Sequence, residues 1–299
     1  MKKYYIFLLL ALIMNMTISC SQADDSDGDN LLLVEEVMSI AEIIDAAVWE
    51  VKQLTEEITW KYAYFPDLFS SMQSVTIFEV DLSSKNLSVD IPHINRSFMK
   101  TSEAGEQIGA RVAINGSYFN TLRGGSTTFF KKDGEVISNT KRRIPGYREN
   151  AGFGLDDDGN PVILKKPSAG WASVEVPTLL TSGPMLFYNG EELEQVNRPF
   201  NNNRHPRTAI GLTDDNYLLA VIVDGRTSHA HGMSIPELTE FMSALGSTTA
   251  MNLDGGGSST AWTHEQGVVN YPSDNKEFDH EGERGVANAI GFIVEEEQA

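Results

Sequence analysis

Cysteine occurs once in the 299 residues, at Cys20, so no disulfide can form within the chain. Basic residues are scarce: 23 Lys and Arg stand against 42 Asp and Glu, a formal net charge of -19. This balance argues against a nucleic-acid partner, because backbone phosphates are bound by Lys and Arg. It still leaves room for a local basic pocket around one phosphate. The glycine-rich stretch Gly255–Gly257 is not followed by the lysine of a P-loop, which removes the nucleotide-triphosphate reading. Neither Ser117 nor Ser182 sits in Gly-x-Ser-x-Gly, so a hydrolase nucleophile elbow is absent. Disorder is excluded too, since hydrophobic residues make up 41% of the chain. The length suffices for one large domain or two small ones with ample core.

What is present begins with a targeting segment. Lys2 and Lys3 precede an apolar run, Tyr4 to Met14, too short for a comfortable membrane span. Thr17-Ile18-Ser19-Cys20 resembles a bacterial lipobox, with Thr17 where Leu is usual. The expectation is a signal peptide over 1–19 and a lipidated Cys20 that anchors the chain to the cell envelope, most naturally the outer membrane. Residues 20–30 are polar and acidic and read as a tether. From 31 to 60 the chain reads as a helical segment. Val34, Met38, Ile43, Ile44, Ala47 and Val51 recur at helical spacing, which predicts an amphipathic helix over Leu31 to Ile58.

Residues 61–299 read as one catalytic domain built of short strands. Val75–Leu82 and Leu87–Ile91 predict a hairpin; so do Thr127–Ile137 and Gly152–Leu164, each broken by Asp-Gly turn residues. Further on, a strand ending at Asp224 is followed by a helix start, Ser234-Ile-Pro-Glu237, and then by a strand ending at Asp254. The predicted fold class is α+β, with mixed, mostly antiparallel sheets, one βαβ crossover near the C-terminus and the N-terminal helix.

A βαβ unit makes its two strands parallel, so Asp224 and Asp254 should emerge at one sheet edge, where ligand crevices form. Two carboxylates at such a crevice suit acid/base or nucleophilic chemistry on a glycosidic bond. Either Asp alone could simply cap a turn before glycine; two at matched strand ends favour a catalytic pair. Gly255, Gly256, Ser258 and Ser259 offer N–H groups and hydroxyls to an anion, as a nest does. Arg207, Arg226 and Arg284 are candidate phosphate partners. His229 and His231 flank the same crevice. A pair of histidines is weak evidence for a metal site; they are candidates for substrate contact, and no metal ligand set is assigned.

Taken in order, Ala113-Ile-Asn-Gly-Ser-Tyr-Phe119, Ser182-Gly-Pro184, Arg207-Thr-Ala-Ile-Gly211, Val223-Asp-Gly-Arg226, Met251-Asn-Leu-Asp-Gly-Gly-Gly-Ser-Ser259 and Arg284-Gly-Val-Ala-Asn288 resemble the phosphodiester glycosidase family. The resemblance spans roughly residues 74–294. It implies hydrolysis of a sugar-1-phosphodiester to free sugar and a phosphomonoester. It also implies a site lined by Asn115, Arg207, Asp224, Asp254, Gly255, Ser258, Ser259 and Arg284, with Tyr118 as a candidate substrate contact. No cofactor is expected, and a divalent cation is left open. The expected partners are a sugar-1-phosphodiester or related glycan and, through Cys20, a membrane. Animal members of the family are disulfide-bonded and membrane-anchored, which this single-cysteine chain does not match. Two other readings stand beside the first: a non-catalytic glycan-binding lipoprotein, and a metal-dependent phosphodiesterase using His229, His231 and an Asp.

Overall fold

The computed structural model describes residues 38–295. The expected signal peptide, Cys20, the tether and the first part of the predicted helix lie outside them.

Three sheets share one core. An eight-stranded sheet runs, in spatial order, Glu50–Gln53, Ile58–Phe65, Gln73–Asp81, Tyr217–Val223, Arg207–Thr213, Ser247–Asn252, Met185–Tyr188, Glu191–Glu192. Two five-stranded sheets, centred on Thr178–Ser182 and on Val112–Asn115, pack against it. Phe78 and Ile222 of the large sheet, Phe130 and Phe153 of the second, and Ile114 and Phe292 of the third belong to one apolar cluster. The other face of the large sheet is covered by helix Ile235–Ala244, whose Leu238, Phe241 and Met242 pack on Ile77 and Val221. Tyr217–Val223 shows how the pattern works. Leu218, Ala220 and Ile222 enter the first core and Leu219, Val221 and Val223 the second, so a strand buried on both faces reads as a continuous apolar run.

The helix start is as expected. Ser234 accepts from the Glu237 N–H while the Glu237 carboxylate accepts from the Ser234 N–H, and Pro236 lies in the first turn. The hairpins at 130–138, 151–165 and 207–223 form, all antiparallel. Three expectations change. First, Gln73–Asp81 and Leu87–Asp90 do not pair as a hairpin. Both flanks of Gln73–Asp81 are already occupied, by Ile58–Phe65 and Tyr217–Val223, so the chain turns away and joins another sheet.

Second, the helix predicted over Leu31 to Ile58 is, among the described residues, only Ile40–Asp45. Glu50–Gln53 is a strand paired with Ile58–Phe65, and Trp49 packs edge-on against Phe65. Pairing and burial override the helical spacing here.

Third, Tyr217–Val223 and Ser247–Asn252 do run parallel, but Arg207–Thr213 is inserted between them, antiparallel to both. The crossover therefore passes over one strand and leaves no adjacent parallel pair. Both strands still end at the same edge, where the inserted strand begins. Asp224, Asp254 and Arg207 therefore gather there.

Candidate active site

Two aspartates leave this edge in different states. Asp224 is 1% exposed. Its Oδ2 accepts from the Ser74 hydroxyl at 2.7 Å, and its Oδ1 accepts from Asn270 Nδ2 at 2.8 Å and the Tyr271 N–H at 2.9 Å. Asn270 also donates to the Ser259 carbonyl and accepts from the Ala261 N–H. Asp224 is thus tied into the backbone of the loop that follows Asp254.

Burial raises the Asp224 carboxyl from 3.8 to about 6, against the opposing pull of Ser74, Asn270 and Tyr271. A folded-state value above the unfolded one means that the native state keeps a proton the unfolded chain has already released. The Asp224 contribution is therefore most favourable below the unfolded value and declines as pH rises to about 6. The loss is on the order of 3 kcal/mol across that window. Denaturant titrations of wild type and Asp224→Asn at the two ends of the window should show the wild type losing stability relative to the variant. Parallel pH profiles would contradict the assignment.

Asp254 is half-buried, and the donors that reach its carboxylate, the Ser258 hydroxyl and the Gly255 N–H, both belong to the turn that follows it. Burial lifts it to about 6 as well, opposed by the nearby Ser258 hydroxyl and by the charges of Arg148 and Arg284. Its main chain is clamped. The Asp254 N–H donates to the Gly116 carbonyl, and Asn115 Nδ2 donates to the Asp254 carbonyl at 2.7 Å. Asn115 in turn accepts from the Thr208 hydroxyl and the Thr260 N–H, so the amide works as a spacer between strands.

The glycines that follow make room for protein atoms. A Cβ on Gly255 would lie 2.6 Å from the Pro206 carbonyl oxygen. Gly256 has a φ of +67°, and a Cβ there would meet Arg226 Nη2 at 2.9 Å. On Gly257 a Cβ would meet Arg284 Nη2 at 2.5 Å. Two guanidinium groups therefore lie flat on the turn Gly256–Ser258. Arg284 is held by an ion pair with Asp274. Arg226 has no hydrogen-bond or ion-pair partner among the described residues, and its own φ is +65°. Burial and then Arg284 lower the Arg226 pKa, so the two cations repel each other. Ser258 and Ser259 are buried; the Ser258 hydroxyl reaches Asp254, and that of Ser259 has no hydrogen-bond partner. Buried polar atoms left unpaired are uncommon and point to an absent partner. Gly257→Ala should push the mobile tip of Arg284 off the turn. Its thermal midpoint is expected to stay within a few degrees of wild type while turnover drops roughly tenfold, about 1.4 kcal/mol; unchanged turnover would show that the contact is idle.

Of the remaining expected site residues, Arg207 and Tyr118 border the same edge but are engaged by protein groups. Arg207 is buried, and it donates from Nε to the Met233 carbonyl and from Nη2 to those of Phe200 and Asn203. Burial lowers it to about 10. Through these bonds it organises the loop around Phe200. Tyr118 is buried as well, its hydroxyl donating to the Gly183 carbonyl, and burial pushes it up to about 12. His229 stacks on Phe278, and His231 meets the Ser71 hydroxyl through Nδ1; both side chains are exposed. Among the described residues no group of three His, Cys, Asp or Glu side chains gathers as a metal set.

One residue was missed. Arg148 lies 4.1 Å from the Tyr118 ring centroid and 4.3 Å from that of Phe200, and it leads the charges acting on Asp254. In the sequence it is one cation in a basic loop, with no spacing that marks it.

Comparison with known proteins gives this geometry a context. The model of the phosphodiester glycosidase family matches residues 109–293. N-acetylglucosamine-1-phosphodiester alpha-N-acetylglucosaminidase from Mus musculus is 29% identical over 190 residues, covering 56% of this chain and 34% of its own. The Homo sapiens protein of the same name is 30% identical over 190 residues, covering 58% of this chain and 35% of its own. The chain thus spans about a third of the length of the curated relatives it matches. The zebrafish catalytic domain of that name, solved auto-inhibited by its pro-peptide, shares the fold with a TM-score of 0.62. It is 24% identical and covers 83% of this chain and 88% of its own.

Proposed function

The chain belongs to the phosphodiester glycosidase family, and from that premise we propose that it hydrolyses the C1–O bond of a sugar-1-phosphodiester. Free sugar and a phosphomonoester leave. The observation that carries this reading is the pairing of a half-buried carboxylate, Asp254, with two guanidinium groups and the buried Ser258 and Ser259 hydroxyls on the next turn. Arg226, Arg284 and the Gly255–Ser259 turn take the phosphate, which relieves the repulsion between the two arginines. Arg148 adds a third charge beside the carboxylate.

Chemistry then divides as follows. Water attacks C1 and the C1–O bond breaks, its electron pair leaving on the phosphate oxygen. Asp254 takes the proton of the attacking water. A phosphomonoester, whose second pKa is near 6, is a good leaving group, so protonation by a general acid is not required. Asp224 acts as a positioning residue, holding the loop that carries Ser259 through Asn270. The expected lipid anchor on Cys20 would place the protein at the bacterial envelope, acting on envelope glycans or their precursors.

Because Asp254 is the base and titrates at about 6, kcat/KM should fall as pH drops through about 6 and level off above it. A profile that rises as pH falls through that value would contradict a base role. The broader test is a panel of sugar-1-phosphodiesters differing in sugar and alcohol, read for free sugar. Release from at least one is expected; binding of several without turnover would support a glycan-binding lipoprotein instead.

A further inference from the structure

Thr127, whose N–H donates to the Tyr118 carbonyl, lines a cavity of about 810 Å³. Its charged lining residues are Arg96, Lys141, Arg142 and Arg143, with no aspartate or glutamate among them. On a chain with 42 acidic and 23 basic residues this reverses the overall balance. All four side chains are exposed, and none is hydrogen-bonded or ion-paired among the described residues. Some other cations pair with carboxylates, as Lys52 does with Glu265 and Lys61 with Glu79, and others such as Lys85 and Lys165 do not; what sets these four apart is that they line one cavity with no carboxylate in its wall. Lys141, Arg142 and Arg143 are consecutive, so three positive charges are concentrated in one stretch and only solvent screens their repulsion. A site that binds an anion would resolve that repulsion.

Two chain segments connect the cavity to the Asp254 site. On the first, the Gly116 carbonyl accepts from the Asp254 N–H, the Tyr118 carbonyl accepts from the Thr127 N–H, and Thr127 lines the cavity. On the second, the Lys141 N–H donates to the Thr127 carbonyl at 2.8 Å, and the same segment runs on to Arg148, whose guanidinium lies over Tyr118. Arg143 precedes Arg148 by five residues, a stretch that covers at most about 18 Å when fully extended. The turn Gly146–Arg148 shortens it further.

We propose that this cavity is a second anion subsite, which takes a phosphate or carboxylate carried by the substrate beyond the scissile phosphate. The proposal rests on the phosphodiester reading of the Asp254 site and adds a specificity to it: substrates with two separate anionic groups are preferred over those with one. A chain of net charge -19 repels anions at long range, and a local cluster of cations restores attraction where the substrate must lie.

Calorimetric titration with inorganic pyrophosphate tests the cavity without relying on turnover. Wild type should show two sites, one lost in the variant K141S/R142S/R143S and the other in Arg226→Met. Two sites retained in the triple variant would overturn the proposal. Turnover then tests the specificity. Three sugar-1-phosphodiesters are compared, one with a methyl alcohol, one with an additional phosphate on the alcohol arm and one with it on the sugar. The triple variant should raise KM for one phosphorylated substrate by roughly ten- to a hundredfold, with kcat and the methyl ester unchanged. Which substrate responds tells whether the second anion lies on the alcohol or the sugar side. An equal effect on all three would contradict the proposal. Should wild type fail to hydrolyse the methyl ester and both phosphorylated substrates, the activity reading falls, and the pyrophosphate titration still decides the cavity.

Discussion

Asp254→Asn should lower kcat by roughly 10²–10⁴-fold with the fold intact, whereas Asp224→Asn should keep kcat within about tenfold of wild type, no more than ~1.4 kcal/mol. The contrast follows from what each carboxylate touches. Asp254 is approached only by the Ser258 hydroxyl and the Gly255 N–H, and an amide oxygen can still accept from both, so the substitution removes the base at little cost to the fold and thermal midpoints should stay close to wild type. At Asp224 the amide can keep most of its bonds. Its oxygen still accepts from Asn270 and the Tyr271 N–H. The Ser74 hydroxyl can turn to accept from the new NH₂ and donate to Tyr62, 3.4 Å away. If Asp224→Asn were as inactive as Asp254→Asn with its fold preserved, the two carboxylates would form a reacting pair and the positioning role would be wrong. Asp224→Ala is the harsher variant. It leaves buried donors unpaired and is expected to lose about 1–3 kcal/mol of stability.

Arg226 carries the second large effect. Removing one charge-stabilising donor of this kind costs roughly 10²–10³-fold in kcat, and Arg226→Met should show that loss together with a raised KM. Its stability should be unchanged, because the guanidinium has no protein partner among the described residues and faces a like charge on Arg284. Arg226→Gly sharpens the point. It also removes a left-handed backbone conformation from a residue with a Cβ, a strain of roughly 1 kcal/mol or more. That variant should be at least as stable as wild type and still inactive. Strain kept at a position with no structural partner is what a ligand-binding residue looks like before its ligand arrives. A Gly variant that loses stability would show that Arg226 supports the fold.

Much of this architecture can be read from local signals. Asp-Gly turn residues between β-prone runs mark the hairpins at 130–138 and 151–165, and the Ser234 capping box marks its helix. Asp254, Gly255, Gly256, Ser258, Ser259, Arg226 and Arg284 lie together as their order along the chain suggests. The rest depends on contacts with no local trace. Asp224 is engaged by Ser74 and Asn270, 150 and 46 residues away. The strand inserted between Tyr217–Val223 and Ser247–Asn252 is decided by sheet order, which periodicity does not encode. The short N-terminal helix gives way to a strand because Ile58–Phe65 offers an edge to pair with. Even the three glycines mislead in part. The close approach they permit is, in the structure, to Pro206, Arg226 and Arg284. The role of Arg148 depends on Tyr118 and Phe200 converging from distant segments.

Bond cleavage in water enriched in heavy oxygen tests the central claim most directly. Purified protein is incubated with a sugar-1-phosphodiester, and both products are weighed by mass spectrometry. Attack at C1 places the label in the released sugar and none in the phosphomonoester, and Asp254→Asn abolishes the signal. Label in the phosphate would mean that the P–O bond breaks, and the protein would then be a phosphodiesterase.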